Sequence, residues 1–325
     1  MGRILAIIGL FLVLGLFFLK SEKINSTNNI AELILGVFND KGPSEALMRL
    51  RSEMYRRPEI NKDCHQIAHK VGRLAFDKSG NVAEAAKASD DICNSGYLHG
   101  VIEEYFKINK NDLTSIKNVC KGYENKTILW HCSHAIGHAL MFIGNNDLRW
   151  ALDFCNENYH GNERERCANG VFMENFSNTE NILGSSYLRP NDFFYPCNDF
   201  VPEDEKPDCY MYAPDYIVAM NPGNYAKAFE ACDQVKEGIN HNYCISGAGS
   251  RLLIENTTNI DFVNEQCMNL TVDGRYFCFV GVAWRYLGLY RSEDGLKNYC
   301  KKFDITAQKS CTDTTARYKD LIGFD

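Results

Sequence analysis

Residues 120–142 read CKGYENKTILWHCSHAIGHALMF: two cysteines twelve positions apart frame a polar turn that leads into a histidine-bearing apolar run. The spacing recurs down the chain. Cys155 and Cys167, Cys197 and Cys209, and Cys232 and Cys244 are also twelve apart, while Cys267 and Cys278, and Cys300 and Cys311, are eleven apart. First cysteines end short amphipathic runs such as ALDFC and AFEAC, and second cysteines open others such as CANGVFMENF and CFVGVAWRYL. Successive second cysteines from Cys132 to Cys311 lie 35, 42, 35, 34 and 33 residues apart, the period of paired-helix repeat arrays. Each unit therefore reads as a first helix, a turn and a second helix, and an antiparallel hairpin of that kind brings its two cysteines within disulfide reach. Metal ligation by the cysteines fits poorly, because C-x11-C lacks the tight C-x2-C knuckle of zinc sites.

Three positions after the second cysteine stand Gly96, Ala135, Gly170, Gly247 and Gly281, small residues that predict close approach of neighbouring second helices. Tyr212 and Thr314 break that pattern, and Pro214 is expected to disturb its helix. Upstream, CHQIAHKVGRLAF from Cys64 and CNSGYLHGVIEEYF from Cys93 read as two further second helices whose partners lack a cysteine. Twelve cysteines pair within their own hairpins. Cys64 and Cys93 remain, begin consecutive second helices, and are predicted to pair with each other across the repeat boundary.

The period, the helix pairs and the cysteine placement over residues 44–322 resemble tetratricopeptide and Sel1-like repeats, particularly cysteine-rich secreted ones. The Trp, Leu-Gly and Pro signature of tetratricopeptides is missing, so the resemblance is one of architecture. It implies partner binding and no particular reaction.

The 325 residues, 45% hydrophobic and 24% charged, can bury a large core. A net charge of −7 disfavours a nucleic-acid partner, which needs a basic surface. No glycine-rich phosphate loop, dinucleotide fingerprint or G-x-S-x-G elbow is found. Fourteen cysteines in a regular array place the chain in an oxidising, extracytoplasmic compartment, whether periplasmic, pseudoperiplasmic or extracellular. Residues 4–19, ILAIIGLFLVLGLFFL, form an apolar run without an A-x-A-like cleavage site after it, which favours an uncleaved N-terminal membrane anchor over a cleaved signal. Sequons head at Asn25, Asn125, Asn175, Asn256 and Asn269, consistent with a glycoprotein.

The histidines carry the chemistry. His65 and His69, His99 and Glu103, and His134 and His138 are each four apart, so each pair projects from one helical face. They fall on three consecutive second helices at nearly equal distances from the cysteine, and stacking those helices directs all six toward one surface. Imidazoles and a carboxylate converging from adjacent helices are how bundles build metal centres. The expected ligands are His65, His69, His99, Glu103, His134 and His138, for one or two ions; copper or zinc suits an imidazole-rich extracytoplasmic site better than iron. A single H-x3-H is equally a way to satisfy core histidines. His131, His160 and His241 read as turn residues outside the site. Met173, in the place of His138, reads as core rather than as a ligand.

The expectation is an all-α, disulfide-stapled solenoid of helix-hairpin repeats: residues 1–20 a membrane anchor, 21–43 a linker with a short helix, 44–142 the His-rich repeats and 143–325 the aromatic-rich repeats. The leading function is that of a binding or accessory protein with a transition-metal site, joined to a protein partner such as a membrane enzyme complex. The alternatives are a metalloenzyme, oxidative or hydrolytic, and a metal-free interaction scaffold.

Overall fold

A computed structural model describes residues 29–322, apart from 91, 111, 122, 124, 178–184 and 237. The apolar run 4–19 and the sequon at Asn25 lie outside the described residues, and among the described residues no helix is long and apolar enough to cross a membrane. The chain is helical, with no β-strand among the described residues. Its helices are α1 (29–41), α2 (Pro43–Arg56), α3 (Cys64–Ser79), α4 (Val82–Ala86), α5 (Ile92–Asn109), α6 (Leu113–Asn118), α7 (Lys126–Ile143) and α8 (Leu148–Asn158). They continue with α9 (Gly161–Ser177), α10 (Lys206–Met220), α11 (Tyr225–Cys232), α12 (Gly238–Glu255), α13 (Ile260–Met268), α14 (Val272–Tyr290), α15 (Glu293–Cys300) and α16 (Ile305–Leu321).

From α3 to α9 and again from α10 to α16 long and short helices alternate, and the short ones begin on side chains that satisfy exposed N–H groups. Asp147 caps α8 by accepting from the Trp150 amide at 3.2 Å, and Asn224, Asn259 and Ser292 cap α11, α13 and α15 in the same way. All fourteen cysteines are paired as the spacing predicts: Cys120–Cys132, Cys155–Cys167, Cys197–Cys209, Cys232–Cys244, Cys267–Cys278 and Cys300–Cys311 within hairpins, and Cys64–Cys93 between α3 and α5. Seven disulfides point to an oxidising environment outside the cytoplasm.

The long helices pack in chain order, α3 on α5, then α7, α9, α10, α12, α14 and α16. The small residues let their backbones touch. A β-carbon on Gly170 would lie 2.0 Å from the His134 carbonyl oxygen, and one on Gly281 would lie 1.7 Å from that of Ser246. Two local expectations fail. Helix α10 runs unbroken through Pro214, whose missing N–H costs one bond inside a buried helix. Cys197 closes no helix: it sits among successive turns, in the one unit lengthened to 42 residues.

An open superhelix keeps its first and last repeats apart, whereas here α14 packs against α5. At this seam the Asn61 side-chain amide donates to the Tyr290 hydroxyl, the Thr257 hydroxyl donates to the Pro58 carbonyl at 2.9 Å, and the Tyr55 and Tyr290 rings stack with centroids 5.4 Å apart. At the end of α16, the Ile322 carbonyl accepts from the Thr127 hydroxyl at the start of α7. The long helices thus surround a cavity of about 160 Å³ to which every long helix from α5 to α16 contributes, among them Asn94, Arg166, Asp208, Tyr243, Trp284 and Arg317. The late aromatics divide between two places: Tyr216 and Phe279 pack in the core, while Tyr212, Phe277 and Trp284 face the cavity.

Candidate metal centre

Helix α5 lies between α3 and α7, and this order decides the site. His65 and His69 project from α3, His134 and His138 from α7, and His99 from α5 into the space between the two pairs. The His99 ring centroid is 5.2 and 5.5 Å from those of His65 and His69, and 5.1 and 5.0 Å from those of His134 and His138. All five predicted histidines come together. They form two overlapping triads, His65–His69–His99 and His99–His134–His138, in each of which one donor atom per residue lies within 4.8 Å of the others.

Three of the outer ring nitrogens are held by acceptors. His65 Nδ1 lies 2.6 Å from the Cys93 carbonyl oxygen, His69 Nδ1 lies 3.2 Å from Glu103 Oε2, and His138 Nδ1 lies 2.8 Å from Glu174 Oε2. Residues 93–95 are left-handed, with Cys93 at φ 56°, and this local turn carries the Cys93 carbonyl that His65 meets. Glu103, expected as a ligand, stands behind His69 instead. Arg73 grips the same oxygen at 2.8 Å, and although burial pushes the Glu103 carboxyl up, His69 and Arg73 bring it down to about 2. Glu174 does for His138 what Glu103 does for His69. Carboxylates that accept from Nδ1–H in this manner fix the tautomer and aim Nε2 inward, as in the outer shell of histidine metal sites.

The inward nitrogens face one another. His65 Nε2 and His69 Nε2 are 3.0 Å apart, and His134 Nε2 and His138 Nε2 are 3.1 Å apart. Burial, and after it repulsion from a neighbouring imidazole, holds His65, His99 and His134 well below the ordinary imidazole range, so these three rings are neutral at pH 7. In the first pair both Nδ1 atoms donate outward, so the His65 and His69 Nε2 lone pairs repel unless a cation lies between them, either a proton or a metal ion; in the second pair a His134 protonated on Nε2 can donate to His138 Nε2 without one. Two imidazoles on one tetrahedral metal have nitrogens about 3.3 Å apart, close to the observed spacings. His99 separates the two cases. It is 1% exposed, and neither ring nitrogen has a hydrogen-bond partner among the described residues. Protons shared within the two pairs leave His99 unsatisfied, at a cost of about 1–3 kcal/mol for a buried polar group. A metal ion in each triad would engage all five rings. These groups can hold a metal ion.

His131, expected in a turn, lies inside α7 and is 9% exposed; burial, helped by Arg291 and Arg166, lowers it to about 3. His160 is exposed and lies outside the cluster, as does His241, paired with Asp233. Met173 lines the central cavity. Glu174 was not among the expected residues. It is one position past Met173 on α9, and its only sequence signal was a carboxylate next to the place a fourth histidine would occupy. Among the sequons, Asn175 is fully buried, which excludes a glycan there in the folded chain, whereas Asn125 and Asn269 are exposed. His131 and His134 also form part of the cavity wall, beside Arg166, whose guanidinium lies 4.1 Å from the Trp130 ring centre.

Comparison with protein-family models, with curated proteins and with solved structures finds no match to this chain.

Proposed function

We propose that this chain is an extracytoplasmic helical-repeat protein, anchored in a membrane by residues 4–19, that binds a transition metal in its histidine cluster and serves as a binding or accessory subunit of a membrane complex. One observation carries the metal: a buried His99 with both ring nitrogens unpartnered, set between two histidine pairs whose Nε2 atoms already converge. Copper and zinc suit the donors best, because neutral imidazoles without thiolate favour them over harder ions, and the disulfides leave no free thiol to compete. The membrane reading is supported by the apolar run and by the absence of a small-residue cleavage site after it. The central cavity, about 160 Å³, is too small to seat a protein segment, which leaves the outer surface of the helices for a protein partner. The test is elemental analysis of protein purified without a histidine tag, beside a His69→Ala/His138→Ala variant of unchanged helix content. The reading requires stoichiometric copper or zinc in the wild type and its loss in the variant; negligible metal in both refutes it.

A second reading, a metalloenzyme, is favoured by the position of His134, which belongs both to the cluster and to the cavity wall. A substrate in the cavity would then sit beside the metal, with Arg166 and the aromatic wall to orient it. Turnover that responds to substitution of Arg166, with metal content unchanged, separates this reading from the accessory role.

A further inference from the structure

We propose that His99 bridges two divalent metal ions as an imidazolate, one ion held by His65, His69 and His99 and the other by His99, His134 and His138. The inference rests on the metal reading above and specifies its nuclearity. The first support is topological: α5 packs between α3 and α7, so the one histidine it contributes lies between two i,i+4 pairs and not beside one of them. The second is metric, since the His99 ring is nearly equidistant from all four others and belongs to both triads. The third is chemical. An imidazole has two nitrogens on opposite sides of its ring, and a mononuclear site uses one and needs an acceptor for the N–H on the other. The outward nitrogens of His65, His69 and His138 have such acceptors, Cys93 O, Glu103 and Glu174; His99, buried, has none on either side among the described residues.

Bridging removes the problem by removing the proton. On binding the second ion His99 loses its single N–H proton to buffer, each nitrogen donates one lone pair to one metal, and no oxidant or reductant is needed. The imidazolate and Glu174 offset part of the charge of two divalent ions, Glu103 on the opposite side being already paired with Arg73. Three imidazoles per ion leave a coordination position open on each.

Copper(II) is the probe, because two copper(II) ions joined by an imidazolate couple antiferromagnetically and lose electron paramagnetic resonance intensity at low temperature. The tag-free, metal-stripped full chain is titrated with copper(II) chloride. The expected result is two copper ions per chain with an integrated signal well below the copper content. A His99→Gln variant, checked for folding by circular dichroism, should show full intensity for whatever copper it binds, and a His134→Gln variant should bind one ion with a full single-copper signal. One copper per wild-type chain, or two with undiminished intensity, overturns the bridge while leaving the metal reading in place. No stoichiometric binding of copper or of zinc overturns both.

Discussion

Gly288 and Asn94 meet so closely that a β-carbon on Gly288 would lie 1.9 Å from the Asn94 side-chain oxygen, and through this contact a helix near the end of the chain closes on one near its start. The obstacle is the tip of a side chain. At Gly281 the obstacle is backbone, the Ser246 carbonyl at 1.7 Å. Gly281→Ala is therefore expected to cost about 1–3 kcal/mol, the usual range for overpacking, and Gly288→Ala distinctly less, because Asn94 can rotate. Urea denaturation of the two variants checks the order; equal costs would mean that the seam is as rigid as the repeat stack.

Within a hairpin, the disulfide constrains a short loop. Replacing Cys155 and Cys167 together by Ala should lower stability by about 3 kcal/mol on the chain-entropy estimate for a loop of this length. The helices on either side should remain, since α9 is also held by its packing on α7 and α8. Denaturant midpoints under oxidising conditions measure the loss, and a change of fold rather than of midpoint would contradict the repeat reading.

Glu205 is 2% exposed, and burial pushes its carboxyl up to about 7 against the pull of Arg164. The unfolded chain titrates this group near 4.5, so between the two values the folded state holds the extra proton. Its contribution is complete below pH 4.5 and disappears as pH rises through 7, a separation worth up to about 3 kcal/mol. Glu205→Gln, which stays neutral, should flatten the fall in stability between pH 5 and 8. A wild-type profile with no fall in that window, or one unchanged by the substitution, would show that the carboxylate is solvated.

Glu103 and Glu174 each orient one histidine from behind. Replacing either by Gln is expected to weaken metal binding about 10–100-fold, the usual effect of losing an outer-shell carboxylate. Competition with a chelator of known affinity gives the number. Glu103→Gln should in addition lower the melting temperature of the metal-free chain, because Arg73 loses its partner and the stabilised carboxylate is gone, whereas Glu174→Gln has no such arginine to strand.

Several features of this molecule were readable because they depend on a short stretch of chain. Cysteines eleven or twelve apart across a hairpin have one partner within reach, and Cys64 and Cys93 followed by elimination. The i,i+4 spacing of His65 with His69 and of His134 with His138 fixed which way they face, since helical geometry sets it within one turn. The small residues after the second cysteines predicted the backbone contacts seen at Gly170 and Gly281.

What the sequence by itself determined is the hairpin, its staple and the shared face of the histidines, all set by local helical periodicity. Tertiary structure alone decided that the stack returns upon itself at Asn94 and Gly288, that Glu103 meets the outer nitrogen of His69, that Glu174 does the same for His138, and that His131 is buried. The reason is cumulative rotation. Each repeat turns slightly relative to the last, a quantity no single hairpin encodes, and its sum over the chain sets which end meets which and how far a carboxylate on the next helix can reach.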